Sequence, residues 1–176
     1  GTSAADMFSI ICYLKTMSLW WATYGSAYCG DPELLSDIIN GLEWFYNNRY
    51  NETTNWYSTI NDWWYWEIGI PIRLNDVVVL LYDQLTPAQI TKYMNAVNRW
   101  SPDVYTSSIL PSTSNSMTGA NRVWKCKVIG IWAILTKDSV KLQESSDGLD
   151  DVFLYTTSGD GFYADGSFIQ HWNYPY

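Results

Sequence analysis

Helix-start signals recur along this chain, and they restrict it to helices joined by loops. Asp31-Pro32-Glu33 sets a capping carboxylate before a proline at the first helical position, with an acid in the first turn. The apolar residues that follow, Leu34, Leu35, Ile38, Ile39, Leu42 and Phe45, repeat at helical spacing. Thr86-Pro87-Ala88-Gln89 opens another helix by the same logic, and Asp138-Ser139 caps one that reaches about Tyr155. Residues 5–22 alternate apolar and small residues at helical spacing through Met7, Ile10, Ile11, Leu14, Met17, Leu19, Trp20 and Trp21. A third helix is predicted from Asp62 or Trp63 to about Gln84, kinked at Pro71. A fifth starts at Thr118-Gly119-Ala120-Asn121 and is apolar at Val123, Trp124, Val128, Ile131, Trp132 and Leu135. Long polar stretches, 47–61 and 101–116, separate alternate helices, and the tail from Ser158 to Tyr176 reads as a glycine-rich loop. Strand signals are weak throughout. The expectation is an all-α fold of about six helices in three hairpins, an α/α array, in one domain over residues 1–176.

Charge and composition narrow the function. A net charge of −8 argues against a nucleic-acid backbone as partner. No run approaches the roughly 18 apolar residues of a membrane span, and no basic region precedes an apolar one as in a signal peptide. The three cysteines, Cys12, Cys29 and Cys126, are widely spaced, with no metal-binding spacing, so buried free thiols are expected, with one disulfide left open. A single histidine, His171, excludes a multi-histidine metal site and leaves one imidazole as general base. No cofactor is implied. Eleven Trp, fourteen Tyr and five Phe exceed ordinary core needs and suit stacking on flat ligand faces. The abrupt stop at Tyr176 is expected of a piece cut from a longer protein.

Three junctions stand out. In Asn61-Asp62-Trp63-Trp64-Tyr65-Trp66-Glu67 four successive aromatics cannot all face one core, because helical neighbours lie about 100° apart. Either two pack inward while the others cover a loop, or some form a platform for a sugar ring. In Thr118-Gly119-Ala120-Asn121-Arg122, Asn121 would sit in a first helical turn, where free amides and the dipole favour an anion and Arg122 adds donors. For a bare TGAN taken alone, an ordinary helix start with small residues is the favoured reading. The third is the tail, Asp165-Gly166-Ser167-Phe168-Ile169-Gln170-His171, where a lone histidine is more often structural than catalytic. The preceding Gly-Asp-Gly-Phe-Tyr-Ala-Asp-Gly run lacks the spacing and closing glutamate of a calcium loop.

Taken together, WWYWEIGIP at Trp63–Pro71, TGANR at Thr118–Arg122 and DGSFIQH…PY at Asp165–Tyr176 resemble polysaccharide lyase family 8, which includes hyaluronate, chondroitin AC and xanthan lyases. The resemblance covers about residues 35–176, in the family's order. It implies part of a helical α/α toroid, followed in family members by large β-sandwich domains. It also implies β-elimination at a uronic acid, with an anionic uronate polysaccharide as partner and a secreted or cell-surface location. Asn121 then matches the asparagine that neutralises the uronate carboxylate, and His171 the family's histidine, with the base that takes the C5 proton left open between that histidine and a tyrosine. Trp63, Trp64 and Arg122 fall on the substrate side. The family commonly has Asn before the Trp pair where this chain has Asp62, with Asn61 one position earlier. The family tyrosine that protonates the leaving oxygen lies a few residues past the Pro-Tyr pair, so Tyr176 matches the first tyrosine of that segment. The remaining expectations are an inactive chain when isolated and self-association through an exposed toroid edge. Two other readings stay open: a non-catalytic helical carbohydrate-binding module, and a toroid glycoside hydrolase recruiting carboxylates among Asp62, Glu67, Asp160 and Asp165.

Overall fold

The computed structural model describes residues 3–55, 62–170 and 174–175. Six α-helices carry most of them: α1 (Ala4–Ala22), α2 (Pro32–Asn48), α3 (Ile70–Leu80), α4 (Pro87–Trp100), α5 (Gly119–Thr136) and α6 (Ser139–Phe153). The anticipated caps form. The Asp31 carboxylate accepts from the Leu34 N–H at 2.8 Å. Gln89 N–H donates to the Thr86 hydroxyl at 3.2 Å while Thr86 N–H donates back to Gln89 Oε1 at 2.9 Å, a reciprocal capping box. Asp138 accepts from the N–H groups of Val140 and Lys141, both at 3.0 Å.

The third helix departs from its sequence reading. In place of one kinked helix, the chain makes a wide π turn over Tyr65–Gly69 and continues as α3, which stops at Leu80. The cause is covalent. Pro71 has no N–H to give, and its ring crowds the carbonyl one α-helical turn earlier. Ile70 N–H accordingly bonds the Tyr65 carbonyl, five residues back, and the widened turn accommodates the ring. Across such a turn the acceptor facing residue 71 is the Trp66 carbonyl. The Tyr50 hydroxyl donates to that carbonyl at 2.9 Å from a fully buried position.

The chain divides into two compact units, Gly1–Trp100 and Ser101–Tyr176. In the first, α1 packs on α2 and on α3. Met7, Ile11 and Leu14 form the buried stripe of α1, and Ile38, Leu42 and Phe45 that of α2. Tyr50, Trp66 and Trp100 fill the centre, with ring centroids 5.9 Å apart for Tyr50–Trp66 and 4.5 Å for Trp66–Trp100. Part of the aromatic excess is therefore core material.

In the second unit α5 and α6 form a hairpin, turned by Lys137 in a left-handed conformation (φ 61°). The helices approach closely at Gly148, where an added Cβ would lie 2.8 Å from Val104 and 2.9 Å from the Cys126 sulfur. The stretch before α5 folds back on itself. Burial pushes the Asp103 carboxyl up, but hydrogen bonds from Thr106 and Tyr105 and the Lys125 charge outweigh that and hold it below its usual range. Thr106 pairs with Ser116, Met117 N–H donates to the Tyr105 carbonyl at 2.8 Å, and the buried Lys125 ammonium donates to the Thr106 carbonyl at 2.8 Å.

The tail is more ordered than a loop. It forms an antiparallel sheet of β1 (Gly161–Phe162), β2 (Phe168–Gln170) and β3 (Tyr174–Pro175) in that order. Asp165 closes the β1–β2 turn by accepting from both the N–H and the hydroxyl of Ser167, and Phe162 packs on Phe168 across the strands at 4.8 Å. Strands of two or three residues are too short to leave an alternating pattern, which is why the sequence hides them.

Among the described residues the three cysteines are free, but only Cys126 is buried, so the expectation of buried thiols fails at exposed Cys29 and half-buried Cys12. Burial pushes the Cys126 thiol up to about 11. Among the described residues no cluster of His, Cys, Asp and Glu is arranged to hold a metal, and no helix is long and apolar enough to cross a membrane.

The Tyr50–Trp66 bond supports the π turn at a cost that can be measured. Tyr50→Phe keeps the ring packing and leaves a buried carbonyl without this donor. We expect urea unfolding to report a loss of about 1–3 kcal/mol; an unchanged midpoint would mean that the hydroxyl adds nothing to the turn.

Candidate active site

The start of α5 holds the densest polar arrangement of the second unit. Thr118 stands at the N-cap in an extended conformation, yet its side chain does not cap its own helix. Its hydroxyl instead donates to Asp160 Oδ2 at 2.8 Å. The cap comes from 50 residues away: Gln170 Oε1, on β2, accepts from the Ala120 N–H at 2.6 Å. Gln170 Nε2 then donates to the same Asp160 oxygen at 3.1 Å. Gln170 is only 4% exposed. Gly119 sits beneath it with φ +49°, and a Cβ there would lie 2.2 Å from Gln170 Oε1. A residue other than glycine would be strained by its backbone and would drive the glutamine away.

Asn121 follows Ala120, half-buried in this first turn. The first intrahelical bond of α5 runs from Arg122 N–H to the Thr118 carbonyl at 3.2 Å. The preceding amides therefore have no acceptor within the helix, and the positive end of the helix dipole lies beside the Asn121 amide. Such a turn binds negative charge.

Arg122 is occupied in bracing. Its Nε donates to the Met117 carbonyl at 2.9 Å, its Nη1 lies 3.5 Å from the Asp151 carboxylate, and its guanidinium stacks 4.5 Å above the Tyr105 ring. It also lines a cavity of about 260 Å3 with Thr118, Gly119, Asp151, Tyr155 and Asp160. His171 lies outside the described residues; in the sequence it directly follows Gln170.

The aromatic run belongs to the first unit and splits in two. Trp66 is buried in the core. Trp63, Trp64 and Tyr65 are half-buried. Trp64 meets Phe8 edge-on at 5.9 Å and Tyr65 at 5.7 Å, and rests against Gly69, where a Cβ would come within 2.7 Å of its ring. Neither Trp63 nor Trp64 is fully enclosed.

Three of the four carboxylates considered for glycoside hydrolysis, Glu67, Asp160 and Asp165, have other engagements. Glu67 is wholly buried in the π turn, Asp160 accepts from Thr118 and Gln170, and exposed Asp165 is held below its usual range by hydrogen bonds from Ser167. A carboxyl held low is a poor proton donor. Sequence reasoning reached Asn121 but passed over Gln170, because no local pattern announces a helix cap supplied from so far along the chain.

The conformational demand at Gly119 is direct to test. Gly119→Ala should lower thermal stability by at least about 1–2 kcal/mol for the left-handed backbone alone. A melting temperature equal to that of the parent chain would show that α5 can start without this geometry.

The family model described as polysaccharide lyase family 8, N-terminal alpha-helical domain, matches residues 2–176. A xanthan lyase of Bacillus sp. (strain GL1) is 41% identical over 165 residues, which cover 93% of this chain and 16% of that protein. A hyaluronate lyase of Cutibacterium acnes is 38% identical over 171 residues, covering 93% of this chain and 21% of its own length. Among solved structures, a Paenibacillus xanthan lyase superposes with a TM-score of 0.87 at 39% identity, over 100% of this chain and 16% of that one. A Streptomyces coelicolor chondroitin AC lyase in complex with chondroitin sulphate gives 0.86 at 35% identity, over 98% of this chain and 22% of that one. The chain thus spans about a fifth of the length of these relatives.

Proposed function

The chain belongs to polysaccharide lyase family 8, and from that premise we propose that it carries two of the groups of a β-eliminating polysaccharide lyase, Asn121 and His171. The hard step of such a reaction is removal of the C5 proton of a uronic acid, which is weakly acidic while the neighbouring carboxylate holds its charge. Donors on that carboxylate stabilise the enolate-like charge that develops. The Asn121 amide, at a helix N-terminus, is suited to that task. Neutral His171 accepts the C5 proton. The electron pair left at C5 forms the C4–C5 double bond as the bond to the 4-oxygen breaks, and that oxygen takes a proton from a separate acid. Two steps in one site need the carboxylate donor and the base held at fixed separation.

The observation that carries this reading is the bond from Ala120 N–H to Gln170 Oε1. Asn121 and His171 are the chain neighbours of the two residues it joins. A bare helix start or a solitary structural histidine gives no reason for that tie. On the substrate side we assign Trp63 and Trp64 to stacking on sugar rings, consistent with their partial exposure. Arg122 is assigned to the polymer through the cavity it lines. The substrate class is an anionic uronate polysaccharide, by analogy with relatives named for xanthan, hyaluronate and chondroitin. Such polymers do not cross membranes, so the enzyme would act outside the cell, secreted or at the cell surface.

In the family order, the tyrosine that protonates the leaving oxygen comes after Pro175-Tyr176. We therefore expect the 176-residue chain alone to give no increase in ultraviolet absorbance from unsaturated product, and a polypeptide continued through the remaining helices and β domains to give one. The isolated chain should also self-associate in sedimentation through exposed apolar residues such as Ile134, Val140 and Phe153. In the longer polypeptide, Asn121→Ala should cost about 10²–10³-fold in kcat and His171→Ala about 10²–10⁴-fold, with helical circular dichroism intact. Robust turnover by the short chain would overturn the tyrosine assignment and leave His171, Tyr174 or Tyr176 as the acid. Polymer cleavage without a conjugated product would support the hydrolase reading, and binding without cleavage by the longer polypeptide would support the carbohydrate-binding module.

A further inference from the structure

We propose that Gln170 is a positioning residue for the elimination, with Asp160 and Thr118 holding it in place. The inference rests on the functional reading above and deepens it. Three observations carry it. First, Gln170 is 4% exposed, and both ends of its amide are committed, Oε1 to the Ala120 N–H at 2.6 Å and Nε2 to Asp160 at 3.1 Å. A glutamine with a flexible stem loses rotamer freedom when buried in this way, so its bonds must return more than that entropy. Second, the contact is specified from both sides. Gly119 is left-handed and without a Cβ at the place where a side chain would collide with Gln170 Oε1. Third, Thr118, a residue type that normally caps its own helix, gives its hydroxyl to Asp160 instead. Asp160 thereby accepts from both Thr118 and Gln170, which fixes the glutamine amide the right way round: oxygen toward the helix, nitrogen toward the carboxylate.

The arrangement has a mechanical consequence. A helix capped by its own Thr118 would be free to shift relative to β2. A helix capped by β2 cannot move without breaking a short, partly buried hydrogen bond. Gln170 touches neither substrate nor the reacting atoms. It sets the distance between the backbone that bears Asn121 and the strand that leads into His171, and an error of about 1 Å in such a distance can cost 10²-fold in rate.

The test uses the longer, active polypeptide and reads kcat and KM separately. Gln170→Ala should lower kcat by about 100-fold, with a much smaller change in KM, since the groups that stack on the polymer lie elsewhere. Gln170→Glu keeps the acceptor for Ala120 but sets a second carboxylate against Asp160, and should lose activity as well. Adding Asp160→Asn to Gln170→Glu reverses the polarity of the bond. The amide nitrogen introduced at position 160, set where Asp160 Oδ2 accepts from both partners, can donate one hydrogen to the carboxylate introduced at position 170 and the other to the Thr118 hydroxyl oxygen, which turns to accept it. This exchanged pair should recover most of the lost kcat, a rescue that a merely space-filling role would not give. If Gln170→Ala does not fold, the exchanged pair decides alone, because its volume is that of the parent. A Gln170→Ala enzyme with parental kcat, while Asn121→Ala and His171→Ala are inactive, overturns the inference and leaves the functional reading standing. An exchanged pair no better than Gln170→Glu also overturns it. Full activity in Asn121→Ala and His171→Ala overturns the functional reading, and the inference with it.

Discussion

The first amides of α5 have no acceptors within their own helix, and the second unit is organised around where one of those amides finds its partner. A helix start is usually settled locally by a hydroxyl or carboxylate one residue upstream. α2, α4 and α6 do this with Asp31, Thr86 and Asp138. α5 does not, and its Ala120 N–H is satisfied by Gln170 from β2. Much else in the unit follows from that choice. The helix must begin with glycine in a left-handed conformation, the tail must be a sheet rigid enough to present a side chain, and Asp160 must lie where it orients the amide. The loop from residue 101 is bound by Asp103 and by the Lys125–Thr106 bond, so Met117 and the residues leading into α5 arrive in register. Replacing a local cap by a distant one exchanges helix autonomy for a fixed distance between two chain segments, which is what the two-group elimination proposed above would require.

The first unit meets a backbone problem of the same kind differently. Pro71 removes a donor from the middle of a helix. The chain keeps its direction by widening one turn and supplying a tyrosine hydroxyl to the Trp66 carbonyl. The π turn also redistributes the aromatic run. Trp66 turns into a core with Tyr50 and Trp100, whereas Trp63 and Trp64 stay half-buried. Burial raises the Tyr50 hydroxyl well above its ordinary range, with the Glu67 charge adding to the shift, which favours the protonated form that donates to that carbonyl.

Helix identity was legible in the sequence because caps and 3.6-residue periodicity are local signals. The starts of α2, α4 and α6 coincide with their capping residues, and the all-α class followed from them. What escaped was short or distant. The strands of the tail are two or three residues long, below the length at which alternation can be recognised. The π turn depends on which carbonyls a proline leaves without a donor, and the sequence read this as a kink. At the site, Asn121 stood out by its place in a first turn, and Trp63 and Trp64 by crowding. Gln170 did not, because its meaning lies wholly in a bond spanning 50 residues. Asp160, weighed only as a hydrolytic acid, instead holds Gln170 in place.

A chain with a net charge of −8 is an unpromising partner for a polyanion if charge acts only as a total. At physiological ionic strength the Debye length is about 8 Å, so exposed carboxylates farther than that from a bound uronate are largely screened. Under the function proposed above, what a uronate would meet at contact distance is set by a few groups. At the start of α5 these are backbone amides, the positive end of the helix dipole, the Asn121 amide and the nearby Arg122, which already offsets Asp151. Most of these donors are neutral, and neutral donors attract a carboxylate without long-range attraction for the rest of the polymer. Under the proposed function, that difference would suit an enzyme acting on a chain of repeated negative charges. Uniform positive charge would tighten ground-state binding along the whole polymer and would slow release of the cut chain. Donors aimed at one carboxylate instead strengthen as charge builds on it during proton transfer, which places their effect in kcat.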